Sequence, residues 1–209
     1  MTFDLFVDTS RKGISMALLE TGAAHYTESI DESARGETAS AMLDALLEKV
    51  HATLDQVTRI MVTLGPGSFS GLRTGVAFCE GLSFSGKRKL YGVSTLAALA
   101  CFADAPESAA VVIRARKDYW YLRLNGKESF IETAQVVEAL KAHPVKTVVV
   151  DEAALADETL QAAFKETGAA TLLDKGQPLS KWGKLFDSVT PSLMLEANYI
   201  QPSYFEKLH

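Results

Sequence analysis

Apolar residues along the first hundred positions change their period several times, and each change predicts an element. Residues 3–7 form a short apolar run ending in Asp8-Thr9-Ser10, and residues 14–18 alternate like a half-buried strand, so together they predict a hairpin. A third strand is predicted over 25–30. From 38 to 50 the spacing lengthens: Met42, Ala45, Leu46 and Val50 fall at helical intervals with acids and Lys49 opposite, which predicts an amphipathic helix. Residues 57–64 are β-branched and apolar enough for a central strand, a glycine-rich loop follows, and 72–84 reads as a helix. Residues 90–93 add a strand, and Ser94 is expected to cap a short helix to about position 102.

Between 103 and 108 the composition turns to Asp, Pro and small residues, which places a boundary between lobes 1–103 and 104–209. The second half begins again with strands at 110–113 and 119–124, the type I′ turn dipeptide Asn125-Gly126, and a return strand at 129–131. Thr133 is the expected cap of a helix to about 141, and 145–150 is a continuous buried strand ending in Asp151, read as a helix-start acid. A helix over 157–167, a strand at 171–173 and a helix starting near Ser180 complete that lobe. Each half therefore opens with an antiparallel hairpin and continues in helix-strand alternation, an α/β architecture that is duplicated.

Composition narrows the function classes. The 209 residues are 47% hydrophobic, enough for proper cores, and carry a net charge of −5. That charge argues against a broad basic face holding nucleic acid by itself, and the local cluster Lys87-Arg88-Lys89 reads as a solvated loop. The start, Met1-Thr2-Phe3-Asp4, has no basic run, and no apolar stretch approaches the roughly 18 residues of a membrane span, so a cytoplasmic protein with no membrane partner is expected. Cys79 and Cys101 have neither disulfide nor metal spacing and are expected as buried thiols. His25, His51, His143 and His209 form no H-x-x-x-H or H-E-x-x-H pair, so no metal site is expected.

The candidate chemistry sits in the first half. Asp8-Thr9-Ser10 puts one carboxylate and two hydroxyls in a tight turn, which suits a phosphate or its magnesium ion and equally suits an Asx-type turn closing a hairpin. The second half offers no matching cradle, having no glycine between Gly126 and Gly168. Residues 65–73, Gly-Pro-Gly-Ser-Phe-Ser-Gly-Leu-Arg, lack the Lys of a P-loop and the third Gly of a dinucleotide loop, leaving a turn that Ser68 or Ser70 would cap. Beyond it, Gly71, Gly75 and Cys79 recur every fourth residue and form a smooth stripe flanked by Arg73, Thr74 and Glu80. Interior glycines cost a helix about 1 kcal/mol each against alanine, so something must approach closely. Packing on the chain's own sheet and contact with another protein both satisfy that requirement. Arg114-Ala115-Arg116-Lys117 before Tyr119-Trp120-Tyr121 has the composition of a nucleic-acid stacking platform. Alternation along a strand lets only Tyr119 and Tyr121 share a face, so core packing with a partly exposed ring is expected.

These segments resemble the TsaB family, bacterial accessory proteins of tRNA threonylcarbamoyladenosine biosynthesis also labelled glycoprotease-like. Asp8-Thr9-Ser10 is similar to the family's D-T-S turn, residues 65–73 to its G-P-G-S-F-T-G-L-R signature, and Gly92-Val93-Ser94-Thr95-Leu96 to G-V-S-S-L. In the second half Ala115-Arg116 with Tyr119-Trp120, and residues 196–200, carry a thinner likeness. Ser70, Arg114, Arg35-Gly36-Glu37 and Tyr199-Ile200-Gln201 depart from the family's usual residues. The resemblance implies a two-lobed actin-like ATPase (ribonuclease H-like) fold, each lobe a mixed sheet with an antiparallel hairpin and flanking helices, and no catalytic activity of its own. It implies pairing with the catalytic subunit TsaD and the ATPase TsaE in transferring threonylcarbamoyl from its adenylate to the adenosine beside the anticodon, with tRNA met through the complex. Self-association of the isolated chain through the same helices is left open. The expected partner-binding set is Met42, Leu46, Gly71, Arg73, Thr74, Gly75 and Cys79, with Asp8, Thr9 and Ser10 a vestigial phosphate turn. No cofactor is expected, weak nucleotide binding being left open. The competing expectations are a small actin-like-superfamily kinase or ATPase using Asp8 and Thr9, and a metal-dependent peptidase.

Overall fold

The computed structural model describes residues 1–22, 26–34 and 36–200; His25, Arg35, Gln201 and His209 lie outside them. Contacts divide the chain into two units, Met1–Thr95 with Pro178–Asn198, and Leu96–Gln177.

In the first unit β1 (Phe3–Asp8), β2 (Ile14–Glu20) and β3 (Tyr26–Asp31) form an antiparallel meander, and β4 (Val57–Thr63) and β5 (Lys89–Val93) extend the sheet in parallel from β1. The order is β3-β2-β1-β4-β5. Helices α1 (Ala39–Lys49) and α2 (Phe69–Ser83) bracket β4, as a parallel neighbour of β1 requires a crossover. Phe3, Leu5 and Val7 alternate toward a core completed by Met16, Leu18, Leu43, Leu46, Ile60, Val62 and Cys79. The opposite face of β1 is covered as well. There the 3-10 helix Leu179–Asp187 brings Trp182 and Phe186 onto Phe6, with ring centroids 6.4 and 5.5 Å away, and Phe186 edge-on to Tyr91 at 4.9 Å. Arg59 stacks over Phe186 at 4.2 Å while its Nε donates to Asp4 at 2.7 Å. Burial on both faces explains why all six residues of β1 are buried. The expected helix near Ser180 is therefore a 3-10 segment of the first unit, because its apolar side chains find their partners on that sheet.

The second unit repeats the wiring. β6 (Ala110–Arg116), β7 (Tyr119–Leu124) and β8 (Lys127–Glu132) form the meander, and β9 (Thr147–Val150) and β10 (Ala170–Leu173) run parallel beyond β6, in the order β10-β9-β6-β7-β8. Helices α4 (Thr133–Ala142), α5 (Glu152–Ala156) and α6 (Glu158–Thr167) flank it, while α3 (Thr95–Ala100) begins at the unit boundary. Trp120, Leu122, Val136, Val148, Val150, Leu160 and Phe164 make its core. Asn125 and Gly126 have φ of 51° and 77°, the two positive values a type I′ turn demands. One expected cap differs. Glu132 precedes α4 and forms the capping box with Gln135, whereas the Thr133 hydroxyl accepts a 2.8 Å bond from buried Trp120 Nε1. A buried indole needs an acceptor more than this helix needs a second cap.

Candidate functional site

The site is built where β1 and β4 end side by side. Asp8 closes β1 with 4% of its surface exposed, and its Oδ1 accepts bonds from Ser10 N (2.9 Å), Ser10 Oγ (2.6 Å) and Thr63 Oγ1 (2.8 Å). Arg11 pairs with the other oxygen at 3.3 Å. Burial alone pushes this carboxyl up; Arg11 and the bonds from Ser10 and Thr63 outweigh it and hold the pKa below the ordinary aspartate value. This is an Asx-type turn with its acceptors engaged. The Asp8 carboxylate and the Ser10 hydroxyl are thus paired within the turn, while the buried Thr9 hydroxyl has no hydrogen-bond partner among the described residues.

The glycine loop lies directly on that turn. Ser68 N donates to Ser10 O at 2.6 Å, and the Ser68 hydroxyl caps α2 by accepting from Gly71 N at 3.2 Å. Ser68 rather than Ser70 is the cap, so α2 starts three residues earlier than the apolar pattern indicates. A Cβ at Gly67 would overlap the Ser10 carbonyl, one at Gly71 the Thr9 carbonyl, and one at Gly75 the Thr9 hydroxyl. The close approach demanded by the stripe is thus the approach of the chain's own first hairpin. Cys79 continues the stripe into the core, where burial pushes its thiol far above the usual range and leaves it unreactive.

The expected partner-binding set consequently separates. Leu46, Gly75 and Cys79 are buried, Met42 packs half-buried against the core, Gly71 is half-buried on Thr9, and Thr74 is half-buried beside Gly36. Of this set only Arg73 is exposed, its guanidinium 4.1 Å from the Phe69 ring centroid. The outward stripe of α2 is Phe69, Arg73, Ala77 and Gly81, again every fourth residue, with Phe84 following the helix. Phe69 is 56% and Phe84 94% exposed. Phe69, Ala77 and Phe84 are not marked by the glycines, which lie on the face that packs inward. The signal was present in the same spacing, offset by two positions.

A recess of about 400 Å³ opens beside the turn, lined by Thr9, Arg11, Lys12, Ser68, Ser70 and Thr74 among others. Its hydroxyl and basic lining is compatible with an anion, although Arg11 is engaged by Asp8 and Lys12 lies 3.5 Å from Glu32. Among the described residues no group of three or more His, Cys, Asp or Glu could hold a metal ion, and no helix is long and apolar enough to cross a membrane.

Known proteins place this architecture. The family model for TsaD, tRNA N6-adenosine threonylcarbamoyltransferase, matches residues 32–143. The tRNA threonylcarbamoyladenosine biosynthesis protein TsaB of Haemophilus influenzae is 31% identical over 111 residues, 53% of this chain and 47% of that protein. The TsaB protein of Buchnera aphidicola is 27% identical over 165 residues, 71% of this chain and 77% of the relative. The chain's match thus spans about half the length of the Haemophilus relative. A solved YeaZ structure from Pseudomonas aeruginosa superposes with a TM-score of 0.65 at 25% identity, covering 98% of this chain and all of that one. A second Pseudomonas structure, described as similar to peptidase YeaZ, gives a TM-score of 0.71 at 24% identity over 96% of this chain and all of its own. The duplicated sheets, the D-T-S turn beneath the glycine loop and these matches together establish that the chain belongs to the TsaB/YeaZ family of glycoprotease-like proteins, relatives of TsaD with the actin-like ATPase fold.

Proposed function

We propose that this protein is a noncatalytic subunit of the tRNA threonylcarbamoyladenosine machinery that pairs with a TsaD-like catalytic subunit through the outward face of α2. One observation carries the reading: Asp8, the residue a phosphoryl-transfer site would need, has its carboxylate engaged within its own turn, while α2 presents Phe69, Arg73, Ala77 and Phe84 to solvent. Exposed aromatic and Arg side chains around a small central residue are the composition of a protein-binding face. Met42, Leu46, Gly71, Thr74, Gly75 and Cys79 contribute by fixing where the helices lie, and Arg73 contributes by contact. A TsaE-like ATPase joins the pair, tRNA is met through the complex, and the isolated chain self-associates by the same face. The test is co-purification with the host's own TsaD-like subunit. A stable stoichiometric pair is expected, and two separately eluting proteins would contradict the proposal.

The recess beside Arg11 and Lys12 favours one second reading, a weak nucleotide site or a small kinase or ATPase of the actin-like superfamily. ATP turnover by the pure protein that disappears in Asp8→Ala would establish that reading in place of the first.

A further inference from the structure

The second unit carries a basic, aromatic ridge that the proposed pairing does not use. Between 114 and 127 stand Arg114, Arg116, Lys117, Arg123 and Lys127 with a single acid, Asp118, in a chain whose net charge is −5. Tyr119 on β7 and Phe130 on the edge strand β8 stack with centroids 4.9 Å apart and planes 10° from parallel, both half-buried. Arg116 lies over them, 4.4 Å from the Tyr119 centroid and 5.3 Å from that of Phe130.

Arg116 reaches the rings through a local irregularity. In a regular strand residues two apart share a face, so Arg114 and Arg116 would point the same way. The β6–β7 ladder pairs Arg114 with Trp120 and Arg116 with Tyr119, and its register shifts between the two arginines. Arg114 therefore lies over core-facing Trp120 at 4.7 Å, while Arg116 is delivered to the opposite face. Irregularities of this kind re-aim a side chain. The acids nearby are committed elsewhere: Glu132 accepts from Tyr119 Oη at 2.6 Å and Glu128 pairs with Arg123 at 3.1 Å. Among the described residues Arg116 and its exposed neighbour Lys117 form no ion pair.

We propose that this ridge binds an unpaired RNA segment, one base lying against the Tyr119–Phe130 stack and the flanking phosphates on Arg116 and Lys117. Rings with adjacent cations suit single strands, whose bases have free faces and whose phosphates follow at short intervals. Choosing RNA rests on the proposed role in tRNA modification.

The experiment is fluorescence anisotropy of the full chain with a labelled single-stranded RNA of about 12 nucleotides at low salt. Binding with a Kd of about 10–100 µM that weakens as salt rises is expected. Arg116→Glu should weaken it about tenfold and flatten the salt dependence by about one unit of slope. Phe130→Leu, which keeps an apolar side chain, should weaken it about fivefold or more. Lys117→Glu, at an exposed position that does not threaten folding, should also weaken it. Equal affinity of wild type and all three variants would overturn the proposal. So would tighter binding to poly-glutamate than to the RNA, which would assign the ridge to an acidic protein. Pairing with the TsaD-like subunit is measured on the same preparations: loss of RNA binding with pairing intact supports the ridge, and intact RNA binding without pairing sinks the functional proposal alone.

Discussion

The two sheets share one wiring and solve the same local problem in opposite ways. In both, a strand of the first hairpin runs beside a parallel neighbour, β1 beside β4 and β6 beside β9, and one aspartate joins the pair at the neighbour's C-terminal end. In the first unit the acid is on the hairpin: Asp8 accepts from Thr63 of β4 and from its own Ser10. In the second it follows the neighbour: Asp151 accepts from Arg114 N of β6 at 2.8 Å and caps α5 through Ala154 N at 2.7 Å. Asp151 does both tasks without glycine, and α5 stops after five residues. Asp8 leaves the next helix uncapped, so Ser68 caps it and three close approaches seat the 15-residue α2 on the turn. The extra glycines of the first unit thus go with a long helix held by one face and exposed along the other. The two sheets share the frame, and the surface proposed for pairing is present on one of them only.

Changes on the seated face should have the largest effect. Gly75→Leu forces a side chain into Thr9 and should destabilise the protein by about 3 kcal/mol or more, read as a lower denaturant midpoint. A midpoint equal to wild type would mean that α2 is not held by this contact. The two aspartates come next. Asp8→Ala strands the buried Ser10 and Thr63 hydroxyls and should cost about 2–4 kcal/mol, whereas Asp151→Ala, at a half-buried cap, should cost about 1–2 kcal/mol. Equal losses would erase the distinction between the units.

The element pattern was largely legible in the sequence because it depends on neighbours a few residues apart: the paired hairpins, α1, β4 and the Asn125-Gly126 turn all follow from local periodicity or turn chemistry. What escaped depends on residues far apart. The stripe Gly71, Gly75, Cys79 announces a close neighbour but cannot name it, and Thr9 lies three strands and an α-helix earlier in the chain. Residues 179–187 show a helical spacing in Leu179, Trp182 and Phe186, but which sheet they cover is set by the distant Phe6 and Tyr91. Thr133 looked like a cap until Trp120 claimed its hydroxyl.

Acid sharpens the comparison further. Because the folded Asp8 pKa is lowered, its contribution is fully present above the ordinary aspartate value and is lost as pH falls below about 3.9 through the folded value. Stability measured down that range should fall less steeply in Asp8→Asn than in wild type, and parallel curves would remove Asp8 from the account. The smallest effect is expected at Gly81, on the outward side of the same helix, where an added Cβ would meet nothing within 4 Å. Gly81→Ala should stabilise by about 0.5–1 kcal/mol, opposite in sign to Gly75→Leu.

The central claim is that α2 is seated by its glycine face so that its other face can bind a partner, and Ala77→Glu tests it most directly. Titration calorimetry against the host's TsaD-like subunit should show affinity lowered about 100-fold, with Tm within about 3 °C of wild type. Unchanged affinity for this variant would contradict the claim.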